Sequence, residues 1–295
     1  MPSPVKEVVV ISGKGGTGKT SLTAAFAFLA QEDIVLADCD VDAPDMHLLM
    51  NPRVEMEQDF YSGWQAEIDC LKCSNCGKCQ EVCRFSAIIQ SNECFSIDAD
   101  ECEGCGYCSF ICPEQAIQLI PRLSGQFRVS RTRFQHKLVH ANLDPGGENS
   151  GKLVNQVKQV AARIAREDSK KIILVDGAPG IGCPVISSLT GADLVVLVTE
   201  PSLSAFHDLQ RVFNLVNQFR IKTACLINKA DLNSDISTKI KAFLAENSIL
   251  LLAELAYNTA FTAAMLKGHC ILEEENTSFQ PAILEAWNKI ISLLN

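Results

Sequence analysis

Along most of the chain, short runs of apolar residues alternate with longer stretches whose apolar positions recur every three or four residues, and this rhythm is interrupted once. Val8-Val9-Val10-Ile11 fits a buried strand, Thr20 to Gln31 a helix, and Ile34-Val35-Leu36-Ala37 a second strand, so the opening segment predicts strand, helix, strand. The alternation returns beyond residue 150. Lys152 to Arg166 has helical period, Ile172 to Val175 and Leu194 to Val198 are strand-like, Leu203 to Phe219 is helical, Ala224 to Ile227 is strand-like, and Ile236 to Glu246 is helical. Strands that are apolar throughout are buried on both faces, so the expected fold class is α/β, a mostly parallel sheet covered by helices.

The interruption covers residues 66–124, which are rich in Cys, Gly and polar residues and contain an internal repeat. Cys73-Ser-Asn-Cys76-Gly-Lys-Cys79-Gln-Glu-Val-Cys83 returns 29 residues later as Cys102-Glu-Gly-Cys105-Gly-Tyr-Cys108-Ser-Phe-Ile-Cys112, with Gly77 matched by Gly106 and Ala87-Ile88 by Ala116-Ile117. A repeat at one fixed offset marks a duplicated unit whose halves pack together. The expected organisation is a sheet domain of residues 1–65 and 125–295, split by a small α+β domain of residues 66–124.

Charge and cysteine content narrow the chemistry. The formal net charge is -9, whereas proteins that bind phosphate backbones or anionic membranes collect Lys and Arg on one face; no nucleic-acid partner is expected, and membrane binding is disfavoured. The N-terminal apolar run ends at a glycine loop after Ile11, short of a signal segment or a span, so a cytoplasmic location is expected. Thiols stay reduced there. Of 14 cysteines, eight fall in the two runs, which points to metal ligation.

Gly13-Lys14-Gly15-Gly16-Thr17-Gly18-Lys19-Thr20 satisfies G-x-x-x-x-G-K-[ST] between a predicted strand and a predicted helix. Glycines let the backbone curl so that its amides face phosphate oxygens, and the helix N-terminus adds positive potential. Lys19 is expected to bridge the β- and γ-phosphates of ATP, Thr20 to bind Mg²⁺, and Ser21 to join the nucleotide contacts. Ile172 to Val175 runs into Asp176 and then Gly-Ala-Pro-Gly180, a buried strand ending in an acid, so Asp176 is expected to hold the same Mg²⁺.

An ordinary loop of this kind needs one lysine, and here Lys14 is a second. With it the chain resembles the deviant Walker A family, which includes the septum-site ATPase MinD, the partition ATPase ParA, the nitrogenase iron protein and the Mrp-type cluster carriers. The resemblance extends to Asp38-Cys39-Asp40-Val41-Asp42 and Ile227-Asn228-Lys229-Ala230-Asp231. It implies that Lys14 reaches the nucleotide of a partner subunit, that the chain forms an ATP-dependent homodimer or a heterodimer with a paralogue, and that Asp40 orients the attacking water. Asn228 would contact the purine edge, with Asp231 a base contact or a helix cap.

The two cysteine runs carry the C-x2-C-x2-C-x3-C spacing of bacterial two-cluster ferredoxins, the second followed by Pro113 and the first by Arg84. In that arrangement the fourth cysteine of each run serves the other cluster. Cys73, Cys76, Cys79 and Cys112 are assigned to one [4Fe–4S] cluster, and Cys102, Cys105, Cys108 and Cys83 to the second. Structural zinc would need only paired C-x2-C units and leaves the third close thiol of each run unexplained. Cys70 and Cys94 have Ala99 and Leu123 at the repeat offset and read as spare thiols.

The combination, with Asn149-Ser150-Gly151-Lys152, Gly180-Ile-Gly-Cys183-Pro184, Thr199-Glu200-Pro201-Ser202 and Tyr257-Asn-Thr-Ala-Phe261, resembles a branch of the MinD superfamily with an inserted ferredoxin domain, which implies an ATPase that gates electron transfer to a redox or metalloprotein partner. A cluster carrier or scaffold is one alternative. A MinD-like spatial regulator with structural clusters is another, tested by the segment Pro281 to Leu294: its apolar stripe faces a polar side with only Lys289 as a cation, so packing on the core is expected over membrane binding. Cys183 lies seven residues beyond Asp176, the offset of a cluster-ligating cysteine in the nitrogenase iron protein; its plainer reading is a small packed thiol at a helix start.

Overall fold

The computed structural model describes residues 4–91, 94–147, 149–274 and 279–295. The chain opens with β1 (Lys6–Ser12), α1 (Lys19–Ala30), β2 (Ile34–Cys39), a short α2 (Met46–Met50) and the long β3 (Arg53–Ile68). Next come α3 (Lys78–Val82), β4 (Ile88–Gln90), β5 (Phe95–Ile97), α4 (Tyr107–Ile111), the long β6 (Ile117–Arg131) and β7 (Lys137–Leu143). The remainder alternates as α5 (Ser150–Glu167), β8 (Ile172–Pro179), α6 (Cys183–Leu189), β9 (Leu194–Thr199), α7 (Leu203–Gln218), β10 (Lys222–Ile227), α8 (Ser234–Glu246), β11 (Leu250–Glu254), α9 (Ala260–Leu266) and α10 (Gln280–Leu294).

Nine strands form one sheet in the order β11-β10-β9-β1-β8-β2-β7-β6-β3. Every pairing from β11 across to β7 is parallel. β1, β2 and β9 are buried almost throughout, as strands covered on both faces must be. β1 sits between β9 and β8, so the loop after β1 opens between the ends of two neighbouring strands, where ligands bind in open α/β sheets.

By compactness the chain divides into a first unit of residues 1–58, 127–142 and 150–295 and a second of residues 59–126 and 143–149. The main segment of the second unit begins inside β3 and ends inside β6, wider than the expected 66–124, and residues 143–149 are added to it.

In the first unit, the stripe on α10 buries Ile283, Trp287 and Ile290 against the core, and Trp287 stacks on Phe26 of α1 with ring centroids 5.8 Å apart. Among the described residues no helix is long and apolar enough to cross a membrane. Lys158 of α5 is buried, with its ammonium 2.6 Å from Glu7 and donating to the carbonyls of Ser188 at 2.5 Å and Thr190 at 2.6 Å, at the C-terminal end of α6.

The second unit is built from two halves that exchange bonds. Asp69 donates its amide to Ala116, and Asp98, the matching residue of the repeat, donates to Ala87, each at 2.7 Å. Gln80 on α3 and Ser109 on α4, again matched, donate their side chains to Ile88 and Ile117 respectively. Gly77 and Gly106 cap these helices in the left-handed conformation, at φ 75 and 76, which explains why the repeat keeps glycine there. Cys70 and Cys94 are not spare: they are bonded as a disulfide, with their Cα atoms 5.6 Å apart.

Candidate nucleotide and metal sites

The glycine loop joins β1 to the first turn of α1, where unpaired amides collect. Gly18 is the N-cap at φ 91, and a Cβ there would stand 2.5 Å from Asn228 Nδ2. At Gly13 a Cβ would meet the Asp208 backbone at 2.6 Å, whereas Gly15 and Gly16 are exposed at the loop tip. Thr17 is buried, and its hydroxyl has no hydrogen-bond partner among the described residues, so a ligand oxygen would satisfy it. Ser21 is half-buried in the first turn.

Lys19 is buried with its ammonium 3.0 Å from Asp176 and 3.7 Å from Asp40. Burial alone would depress its pKa, but the carboxylates of Asp176, Asp40 and Asp38 outweigh that and hold it above the ordinary lysine value. Asp40 is raised by burial against the pull of Lys19, and Asp38 is raised well above the usual carboxylate range by burial and by the neighbouring Asp176. Asp38 accepts from the amides of Asp40 at 3.1 Å and Met46 at 3.3 Å. It therefore shapes the turn that presents Asp40, a task the sequence reading did not give it. The available signal was an acid two residues earlier, at the end of a buried strand.

Thr20 donates its hydroxyl to Asp176 at 2.8 Å, and Thr23 donates to the other oxygen of the same carboxylate at 3.0 Å. An octahedral Mg²⁺ with oxygens near 2.1 Å has adjacent ligands about 3 Å apart, so Thr20 and Asp176 have the spacing of two sites on one such ion.

The second lysine has a different environment. Lys14 lies 2.8 Å from Glu200, the residue after β9, and 3.4 Å from the hydroxyls of Ser202 and Ser204. The other oxygen of Glu200 is 2.7 Å from Lys229, whose ammonium also donates to the Gly16 carbonyl at 2.9 Å. Glu200 and Lys229 lie within segments quoted from the sequence, but nothing in a one-dimensional pattern pairs them with Lys14; the adjacency of β9 and β1 does.

Asn228 donates to the Thr17 carbonyl at 2.8 Å and accepts from the Lys229 amide at 3.0 Å. It braces the glycine loop and retains one N–H and one lone pair. Asp231 accepts from the Tyr257 amide, and the cap of α8 is Asn233, so the helix-cap reading of Asp231 is corrected. Cys183 is exposed at the start of α6, which corrects its reading as a packed thiol; Pro184 occupies the first turn as expected.

In the second unit one cavity is lined by Cys73, Cys76, Cys79 and Cys112 together with Ile68, Phe95 and Ile117. Another is lined by Cys83, Cys102, Cys105 and Cys108 together with Val82, Phe85 and Ile97. All eight thiols are free. Among the described residues no group of three or more His, Cys, Asp or Glu side chains is disposed to hold a single metal ion.

A parallel α/β sheet with a lysine-bearing glycine loop after β1 and an acid within β8 defines a P-loop nucleotide-binding protein. The chain belongs to the CobQ/CobB/MinD/ParA nucleotide binding domain family, whose model matches residues 8–271. It is 34% identical over 234 residues to an uncharacterised protein of Methanocaldococcus jannaschii, MJ0578, covering 78% of this chain and 80% of that one. Its fold is similar to that of the septum site-determining protein MinD from Pyrococcus horikoshii, complexed with Mg-ADP, at a TM-score of 0.59 and 13% identity over 98% of this chain and 97% of that one. It is likewise similar to a chain of the MinC:MinD cell division complex of Aquifex aeolicus, at 0.58 and 15% identity over 98% and 96%.

Proposed function

We propose that the chain is an ATPase that dimerises around Mg-ATP and couples hydrolysis to electron transfer, through two [4Fe–4S] clusters in a ferredoxin-like second unit, to a partner metalloprotein. The observation that carries this reading is the lining of the two cavities: each gathers three thiols of one run and the fourth of the other, the ligand exchange of two-cluster ferredoxins. Their walls are otherwise largely apolar, as a buried cluster requires.

In the first unit Lys19 would contact the β- and γ-phosphates, Thr20 and Asp176 the Mg²⁺, and Asp40 the attacking water. Asn228 would offer its remaining N–H and lone pair to a purine edge. Lys14 would serve the nucleotide of the partner subunit. The Mg-ADP held by the similar MinD supports the nucleotide, and the MinC:MinD complex supports a protein partner. Clusters of this type take up and return single electrons.

The test is electron paramagnetic resonance of reduced, anaerobically purified protein with and without Mg-ATP, followed by incubation with an apo-acceptor. Cluster signals that stay with the chain while their potential or reduction rate responds to nucleotide are expected. Iron that migrates to the acceptor would replace this reading with a cluster carrier, and signals indifferent to nucleotide would leave the clusters structural.

A further inference from the structure

Glu200 has no part in the chemistry derived so far, yet it is the only described acidic residue paired with both Lys14 and Lys229. Its two oxygens are divided between the lysines, at 2.8 and 2.7 Å, and its side chain is only 12% exposed. Burial would raise its pKa, but the hydrogen bonds from Lys14 and Lys229 prevail and hold it below the usual carboxylate range, so it is ionised wherever the protein is folded near neutrality. Lys229 is itself fixed to the tip of the glycine loop through the Gly16 carbonyl. Lys14, 31% exposed, is thus tied back onto its own subunit by a carboxylate that is held in place from the other side.

We propose that Glu200 is a positioning residue that keeps Lys14 on its own subunit until a nucleotide sandwich forms, so that the Lys14–Glu200 pair sets the Mg-ATP concentration at which dimerisation begins. This rests on the reading of Lys14 as a contact to the partner subunit's nucleotide. A lysine cannot hold Glu200 at 2.8 Å and reach across a dimer face at once; it must exchange one anion for another. The exchange opposes association by the strength of the pair, which is partly solvated and hence modest. Without the Glu200 charge, Lys14 and Lys229 repel each other, and Lys14 is the more easily released, because Lys229 keeps the Gly16 carbonyl at 2.9 Å whereas Lys14 keeps only the hydroxyls of Ser202 and Ser204 at 3.4 Å.

The first measurement uses the nucleotide-free protein. A lysine whose Nζ is engaged by Glu200 and held against its own subunit is shielded from reagent, so trace acetylation with acetic anhydride, read by mass spectrometry, should label Lys14 about fivefold faster in Glu200→Gln than in the wild type. Exposed Lys171 serves as the internal reference, and far-ultraviolet circular dichroism confirms the fold. The second measurement is the Mg-ATP concentration giving half-maximal dimer by analytical ultracentrifugation, which should fall about fivefold in Glu200→Gln and return toward the wild-type value in Glu200→Asp. Unchanged Lys14 labelling, or a midpoint that stays or rises while the wild type dimerises normally, overturns the proposal. A wild type that never dimerises with Mg-ATP overturns the underlying nucleotide-sandwich reading as well, and is told apart because Lys14 labelling then still responds to Glu200→Gln.

Discussion

Lys19 and Lys14 are five positions apart in one loop, yet one is buried among three carboxylates and the other is held at the surface by a single one. Their substitutions should separate accordingly. Lys19→Ala removes the cation between Asp176 and Asp40 and should abolish Mg-ATP binding measured by calorimetry. Lys14→Ala should leave binding within about twofold, since a part-exposed charge contributes little locally, while losing dimerisation and turnover. Normal turnover in Lys14→Ala would remove the cross-subunit role. A separate residue reports on pH. His140 is buried beside Ser130, and burial followed by the charge of Arg128 lowers its pKa to about 4. The unfolded chain therefore takes up a proton between about pH 6.5 and pH 4 that the folded chain refuses, and stability rises with pH across that window. Urea unfolding should show about 1 kcal/mol lost from pH 7 to 5.5, and His140→Gln should flatten that slope.

Elements differ in how openly the sequence declared them. β1, β2, β8, β9 and β10 were legible because a strand buried on both faces is an unbroken apolar run. β3 was not. Its residues Arg53 to Ile68 are mostly polar and exposed, and only Phe60, Ser62 and Ala66 are buried, so neither an apolar run nor a clean alternation marks it. β6 and β7 are obscured for the related reason that polar residues interrupt them, Ser124, Gln126, Arg128 and Ser130 in β6 and His140 and Asn142 in β7. The phosphate loop and Asp176 were legible as local motifs, whereas Asp38, Glu200 and Lys229 acquire roles only from strand order. Arg133, between β6 and β7, is a further case: it donates to the carbonyls of Leu49 and Gly268 and forks onto Glu273, tying three connections together. Arg133→Ala should cost about 2 kcal/mol of stability, because a part-buried carboxylate and two carbonyls lose a charged donor, and a urea midpoint unchanged from the wild type would show those bonds to be idle.

At the scale of the molecule, the proposed clusters, each taking the fourth cysteine of the opposite run, would make each repeat dependent on the other. Anaerobically purified protein should carry about eight iron atoms per chain. Cys112→Ser and Cys83→Ser should each drop the content toward about four while removing clusters of opposite halves, distinguishable by their resonance signals. Stoichiometric zinc with negligible iron after reconstitution would sink the cluster assignment.

The buried Lys158 also constrains how the first unit can move. Its ammonium closes the far end of α6 by holding the Ser188 and Thr190 carbonyls and is neutralised by Glu7 on β1. Swinging that end outward would strand a cation in the interior, so α6 is a lever pinned at its tail. Any displacement starting at Asp176 would have to be absorbed by residues 177–182, where Gly180 occupies φ 89, before it reached the head of the helix, where Cys183 meets solvent. A stroke so constrained would be short, and it would end on a thiol.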